Sequence, residues 1–176
     1  EVAHEALSNG ANWINDVTGG RRDEEILDVV SEFKCPFVIT HSRGNSINMN
    51  NLTKYDDFLV DIIHSLESLT KKALNKNVNK DKIIWDPGIG FSKDTKQNIE
   101  ILRNIHFFKN YGFPLLIGAS RKRFIGEILN EPNPKERDIG TLAISCLCSQ
   151  QNIHLVRVHN VKINHQVLKV ADHIFR

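Results

Sequence analysis

Strands and helices alternate along this 176-residue chain, which predicts an α/β fold on a parallel sheet with right-handed crossovers. Two observations carry that prediction. Five short apolar runs are separated by segments of helical spacing. Each run also ends in, or carries, polar residues that a core strand has no need of: Asn15-Asp16, Thr40-His41-Ser42-Arg43, Asp86-Pro87-Gly88, Gly118-Ala119-Ser120-Arg121-Lys122, and Arg157 with His159. Polar groups gathered at the carboxyl ends of parallel strands are how α/β barrels and doubly wound sheets build their sites. Five strands do not close a barrel of eight. Either the sheet is open, or three βα units precede residue 1. The start at Glu1-Val2-Ala3-His4-Glu5-Ala6-Leu7 reads as the middle of an uncapped amphipathic helix and favours the second reading.

The elements follow in order. A helix over 1–9 is closed by Asn9-Gly10, a good helix-stop pair. A strand over 12–16 leads through Gly19-Gly20 to a helix over 23–33, whose first turn holds Asp23, Glu24 and Glu25 where the dipole favours acids. After a strand over 36–41, Phe58, Ile62 or Ile63, Leu66, Leu69 and Leu74 fall close to helical spacing and predict a long helix over 54–76. The Asn/Lys-rich tract Lys71–Lys82 reads as its solvated end and a loop. A strand over 82–86, a helix over 96–110, a strand over 114–119 and a helix over 121–129 come next. A loop at Pro132–Pro134 leads to a helix over 136–149, a strand over 153–160 and a helix over 163–175. One domain over 1–176 is expected.

Composition narrows the function classes. A net charge of +2, from 23 basic and 21 acidic residues, argues against a general nucleic-acid binder. No apolar stretch approaches the ~20 residues that span a bilayer. Cys35, Cys146 and Cys148 are odd in number and sit among apolar residues, so buried free thiols in a reducing compartment are expected rather than a zinc site.

The strand ends carry the candidate chemistry. Asp86 is delivered by a strand and followed by Pro87-Gly88-Ile89-Gly90-Phe91-Ser92-Lys93; its carboxylate can accept two parallel N–H bonds from an amidine-like edge such as that of a 2-aminopyrimidinone. Ser120 can cap the helix that follows it. Successive helical residues point about 100° apart, so Arg121, Lys122 and Arg123 cannot share one role. One faces a pocket, one a carboxylate or phosphate, and one solvent. Arg157 and His159 share a strand face by the period of 2 and suit a pyrophosphate, with an internal pairing of Arg157 to Asp16 as the alternative. Asn15 can give and accept hydrogen bonds to a heterocycle.

Trp-Ile-Asn-Asp-Val-Thr-Gly-Gly, Asp-Pro-Gly-Ile-Gly-Phe-Ser-Lys, Gly-Ala-Ser-Arg-Lys-Arg-Phe-Ile-Gly and Arg-Val-His-Asn-Val, in this order and spacing, resemble dihydropteroate synthases, the sulfonamide target, in their eukaryotic form. The resemblance implies a TIM (β/α)₈ barrel, of which this chain supplies strands four to eight in about five βα units. It implies the condensation of 6-hydroxymethyl-7,8-dihydropterin diphosphate with 4-aminobenzoate to 7,8-dihydropteroate and pyrophosphate. By the same resemblance, Asn15 and Asp86 hold the pterin edge, and Lys122 lies over pterin and aminobenzoate. Phe91 lines their junction, and Arg157 and His159 meet the pyrophosphate. Ser120 lies in the same loop, and Arg123 stands where bacterial enzymes often carry a serine near the aminobenzoate carboxylate. Mg²⁺ is implied with its ligand before residue 1, as are a homodimer formed through late helices, a fused hydroxymethyldihydropterin pyrophosphokinase, and a cytoplasmic or mitochondrial location. No nucleic-acid or membrane partner is implied. The alternatives are a non-catalytic pterin-binding domain and a methyltetrahydrofolate corrinoid methyltransferase.

Overall fold

The computed structural model describes residues 1–176. Five strands alternate with helices: α1 Val2–Ser8, β1 Ile14–Asp16, α2 Glu25–Phe33, β2 Phe37–Thr40, α3 Phe58–Asn75, β3 Ile83–Asp86, α4 Thr95–Arg103, α5 Ile105–Lys109, β4 Leu116–Ile117, α6 Arg123–Leu129, α7 Asp138–Gln150, β5 Leu155–Val156 and α8 Val161–Phe175. All pairings are parallel. β1, β2 and β3 form one sheet, β4 and β5 a second, and a single bridge between Trp85 and Leu115 joins the two. Each strand therefore neighbours the next in sequence, the order of a barrel wall.

The period of 2 sorts the strand residues onto two faces. Phe37, Ile39, Ile83, Trp85, Leu115 and Ile117 turn outward into one large core with Leu27 and Val30 of α2 and Ile62, Ile63, Leu66 and Leu69 of α3. Burying side chains of this size contributes ~1.5–3 kcal/mol each. Trp85 anchors that layer: its indole N–H donates to Thr70 Oγ1 at 2.8 Å, and its ring stacks on Phe113 at 4.8 Å. Val38, Ile84 and Leu116, with Leu155 against them, form a small separate cluster on the inner face. This division places the polar strand ends, because residues two further on share the inner face.

Several sequence expectations are corrected. The stretch 96–110 is two helices, α4 and α5, because Asn104 ends the first: its side-chain N–H donates to the Glu100 carbonyl, and its backbone N–H goes to Glu100 and Ile101. A side chain that competes for backbone acceptors breaks a helix locally. The long helix begins at Phe58, capped by Asp57, so residues 54–57 lie outside it. Leu74 is 40% exposed and Ala73 takes the buried position expected of it. Strand 153–160 is only Leu155–Val156, so Arg157 and His159 lie beyond the strand, at its carboxyl end like the other polar groups. The tract Lys71–Lys82 is largely exposed as expected, with Lys72 paired to Glu24 and Lys76 to Asp28. All three cysteines are free, but Cys146 is only half-buried.

Candidate active site

Continuing the inner face by two residues from Val38, Ile84, Leu116 and Leu155 reaches Thr40, Asp86, Gly118 and Arg157. Asn15, in register with Val38, faces the same way and is exposed. Beside them lies an open hollow of about 750 Å³, lined among others by Asn15, Phe91, Ser120, Lys122, Arg157 and His159. Most of the residues expected at the site therefore meet in one place.

Asp86, on the same inner face, is 2% exposed and is not itself among the residues that line the hollow. Its Oδ1 accepts the Gly88 N–H at 2.7 Å, while Oδ2 has no hydrogen-bond partner in the protein. Burial raises its pKa; the Gly88 N–H and the positive charges of Arg157, Lys93 and Lys122 oppose that rise. A buried carboxylate with a spare oxygen, facing three cations, is built to take N–H donors from a ligand. The strand register sets Thr40 beside it. Thr40 Oγ1 is the one buried side-chain polar atom without any hydrogen-bond partner.

The Lys122 ammonium sits 4.0 Å from the Phe91 ring centroid. Burial first, and then Arg157, lower the Lys122 pKa, with Asp86 opposing. The Arg157 guanidinium crosses Gly118 so closely that a Cβ there would stand 3.0 Å from Nη2. Its backbone N–H continues the β4–β5 pairing to the Ile117 carbonyl at 3.0 Å. Ser120 does not cap α6, whose N-cap residue is Lys122. Instead its hydroxyl oxygen accepts the His159 backbone N–H at 3.1 Å and lies 2.9 Å from His159 Nδ1. With the Ser120 O–H donating to Nδ1, the imidazole proton falls on Nε2, free to donate to a ligand.

The three successive cations divide, but not by helical direction: the expected helix over 121–129 starts only at Arg123, with Arg121 in a turn at φ +57° and Lys122 extended as the N-cap. Lys122 faces the hollow, and Arg121 forms a two-bond pair with Asp138 at 2.7 and 2.9 Å. Arg123 is exposed, pairs with Glu127 at 3.2 Å and lines a separate, smaller depression. Of the expected site residues, Arg123 and Asp86 do not line the hollow; Asp86 is buried on the same inner face, whereas Arg123 turns away from it. Nor does Asp16 pair with Arg157: its oxygens accept from Thr18 and Gly20 in its own turn. His41 and Ser42 are buried, and Ser42 is tied to Arg21 and to the Val17 carbonyl, so this strand end is mainly structural.

Two groups escaped the sequence reading. Thr40 had a signal, since it lies two residues after Val38 on one face. Lys93 had none, because only the fold shows that its side chain turns inward. Residues 1–176 hold no group of three His, Cys, Asp or Glu side chains that could bind a metal, and Asp86 is ringed by cations; the chain by itself does not fit a Mg²⁺ site. No helix is long and apolar enough to cross a membrane.

Residues 1–159 match the family of pterin binding enzymes. A dihydropteroate synthase from Synechocystis sp. is 44% identical over 176 residues, covering all of this chain and 61% of that protein. A mitochondrial folate synthesis bifunctional protein from Pisum sativum is 38% identical over 187 residues, covering all of this chain and 36% of that one. The crystal structure of Thermus thermophilus dihydropteroate synthase in complex with 4-aminobenzoate superposes with a TM-score of 0.93 at 32% identity, over 99% of this chain and 71% of the other. The five βα units are therefore part of a (β/α)₈ barrel, and the chain spans less than two-thirds of the length of these curated relatives. With its inner-face carboxylate and its match along residues 1–159, the chain belongs to the pterin binding enzyme family.

Proposed function

We propose that the protein carrying this chain is a dihydropteroate synthase, a transferase of folate biosynthesis. The observation that carries the reading is the inner-face arrangement: a buried carboxylate with a spare oxygen, Asp86, faced by the positive charges of Lys122 and Arg157, which with His159 line the adjoining hollow. The pterin amidine edge donates to Asp86, and Asn15 completes the contact. Phe91 and Lys122 line the junction where 4-aminobenzoate arrives. Arg157 by its planar fork, and His159 by the Nε2–H that Ser120 orients, neutralise the departing diphosphate. The reacting carbon is attached to a conjugated ring, so the bond to oxygen breaks ahead of amine attack. An aryl amine is already neutral at pH 7 and needs no base, so the Ser120–His159 contact is assigned to orienting the imidazole rather than to nucleophilic attack. The chief requirement is then to stabilise charge on the leaving group, which pre-set cations do well. The Mg²⁺ expected at the diphosphate is assigned to residues outside this stretch, and no step is routed through it. Arg123, turned toward Glu127, is assigned no contact with the aminobenzoate carboxylate.

The remaining partners extend the proposal. Ile139, Val161, Val170, Ile174 and Phe175 leave an exposed apolar surface on α7 and α8 for a homodimer. A fused pyrophosphokinase is in keeping with the bifunctional Pisum sativum relative. Three free cysteines suit a reducing compartment, cytoplasm or mitochondrial matrix.

The test is pyrophosphate release by the whole protein from 6-hydroxymethyl-7,8-dihydropterin diphosphate, with and without 4-aminobenzoate. Release that depends on both substrates is expected; pterin binding without release would indicate a non-catalytic domain. Arg157→Ala should cut turnover by ~10²–10³-fold while leaving affinity for the diphosphate-free pterin largely unchanged. Equal losses in both would count against its role. Asp86→Asn should abolish pterin binding, because one acceptor becomes a donor.

A further inference from the structure

Lys93 is a buried cation beside the hollow that the proposed reaction does not use. It is 3% exposed, and its Nζ lies 2.8 Å from His41 Nδ1, 3.0 Å from the Gly88 carbonyl and 3.0 Å from the Phe91 carbonyl. Three acceptors match the three hydrogens of an ammonium. Burial, and after it the charges of Lys93, Arg21 and Arg43, hold the His41 pKa well below its ordinary value, so the ring is neutral and Nδ1 accepts. Two of the acceptors belong to the loop that starts at Asp86 and carries Phe91, and the third stands at the end of β2. Lys93 thus stitches that loop to the neighbouring strand. The fit is close: Gly88 has φ +73°, and a Cβ on it would collide with the His41 carbonyl oxygen.

Resting on the reading of Asp86 as the pterin contact, we propose that Lys93 is a positioning residue: its three hydrogen bonds hold the loop from Asp86 to Phe91 against the end of β2, with its charge toward Asp86 and Phe91 fixed beneath Lys122, without touching substrate. All three of its hydrogens are taken, which leaves none for a ligand. The charges facing Asp86 are those of Arg157, Lys93 and Lys122, and those facing Lys93 are Asp86, Arg43, Lys122 and Arg21. Burial raises Asp86 and lowers Lys93, and each opposes the shift of the other. Without Lys93, Asp86 keeps its burial and loses one of its three opposing charges, so it takes up a proton at higher pH.

The experiment is the pH dependence of affinity for 6-hydroxymethyl-7,8-dihydropterin, measured by calorimetry on the whole protein between pH 5 and 9. In Lys93→Met the acid limb, where affinity is lost on protonation of Asp86, should move to higher pH. Lys93→Arg keeps the charge but cannot serve the three acceptors; its acid limb should stay in place while affinity drops about tenfold across the range. Should Lys93→Met fail to fold, Lys93→Gln, uncharged but polar, carries the same expectation. An acid limb unmoved in the uncharged variant overturns the proposal. A wild-type protein that binds no pterin at any pH overturns the reading of the site itself, and this inference with it.

Discussion

Thr40 shows how much one hydroxyl can reveal. A buried O–H with no partner costs ~1–3 kcal/mol, and the fold retains it on the residue in register with Asp86. Thr40→Val keeps the shape and removes the unpaired group. Thermal unfolding of that variant should therefore be unchanged or shifted to higher temperature. Its affinity for the pterin should fall ~3–10-fold, the worth of one ordinary hydrogen bond. A hydroxyl idle in the complex would leave affinity unchanged. Asp86 stood out in the sequence because polar groups end the other strands as well; Asp-Pro-Gly by itself also reads as a turn with a capping aspartate. Thr40 had only the signal of its place two residues after Val38, and the missing partner is what marks it out. Lys93 was hidden for a related reason: a lysine in a polar loop is ordinarily solvated, and only the three acceptors around Nζ show otherwise.

Among the elements, α6 depends on α7 for its orientation. The Arg121–Asp138 pair joins the turn that delivers Lys122 to the first residue of α7, and Asn160 also donates to Asp138. Arg121 holds the Asp138 carboxyl below its ordinary pKa, chiefly through their hydrogen bonds. An acid whose folded-state pKa is depressed contributes stability that is present above its unfolded value, about pH 4, and lost as pH falls toward the folded one. The stability gap between wild type and Asp138→Asn, followed by urea unfolding, should therefore be widest at neutral pH and narrow below about pH 4. A gap independent of pH would show that the pair is not its source. That Arg121, Lys122 and Arg123 take different roles was readable, but not for the helical reason expected, because Arg121 and Lys122 belong to the turn before α6. The ends of strands 114–119 and 153–160 were not, because a strand stops where its neighbours stop pairing, and that depends on residues far away in sequence. The division at Asn104 likewise turned on one side chain competing for backbone carbonyls.

For the whole molecule, a net charge of +2 conceals a strong local imbalance, with Lys93, Lys122 and Arg157 converging on one carboxylate. Charges at an open hollow are screened over ~10 Å at 0.1 M salt, whereas buried ones are screened much less. Binding of the pterin diphosphate should therefore weaken several-fold between about 0.05 and 0.5 M salt, with diphosphate-free pterin nearly indifferent; parallel salt dependence of the two would argue against a separate anion subsite. The bridge between Trp85 and Leu115, the sole strand pairing between the two sheets, adds a mechanical consequence. Asn15 and Asp86 belong to one sheet, while Lys122, Arg157 and His159 follow the strands of the other. On the proposed reading, the ring contacts and the leaving-group contacts stand on opposite sides of that bridge. A substitution that disturbs the backbone of one sheet therefore reaches the other through few strand hydrogen bonds, so ring affinity and leaving-group affinity can be altered separately.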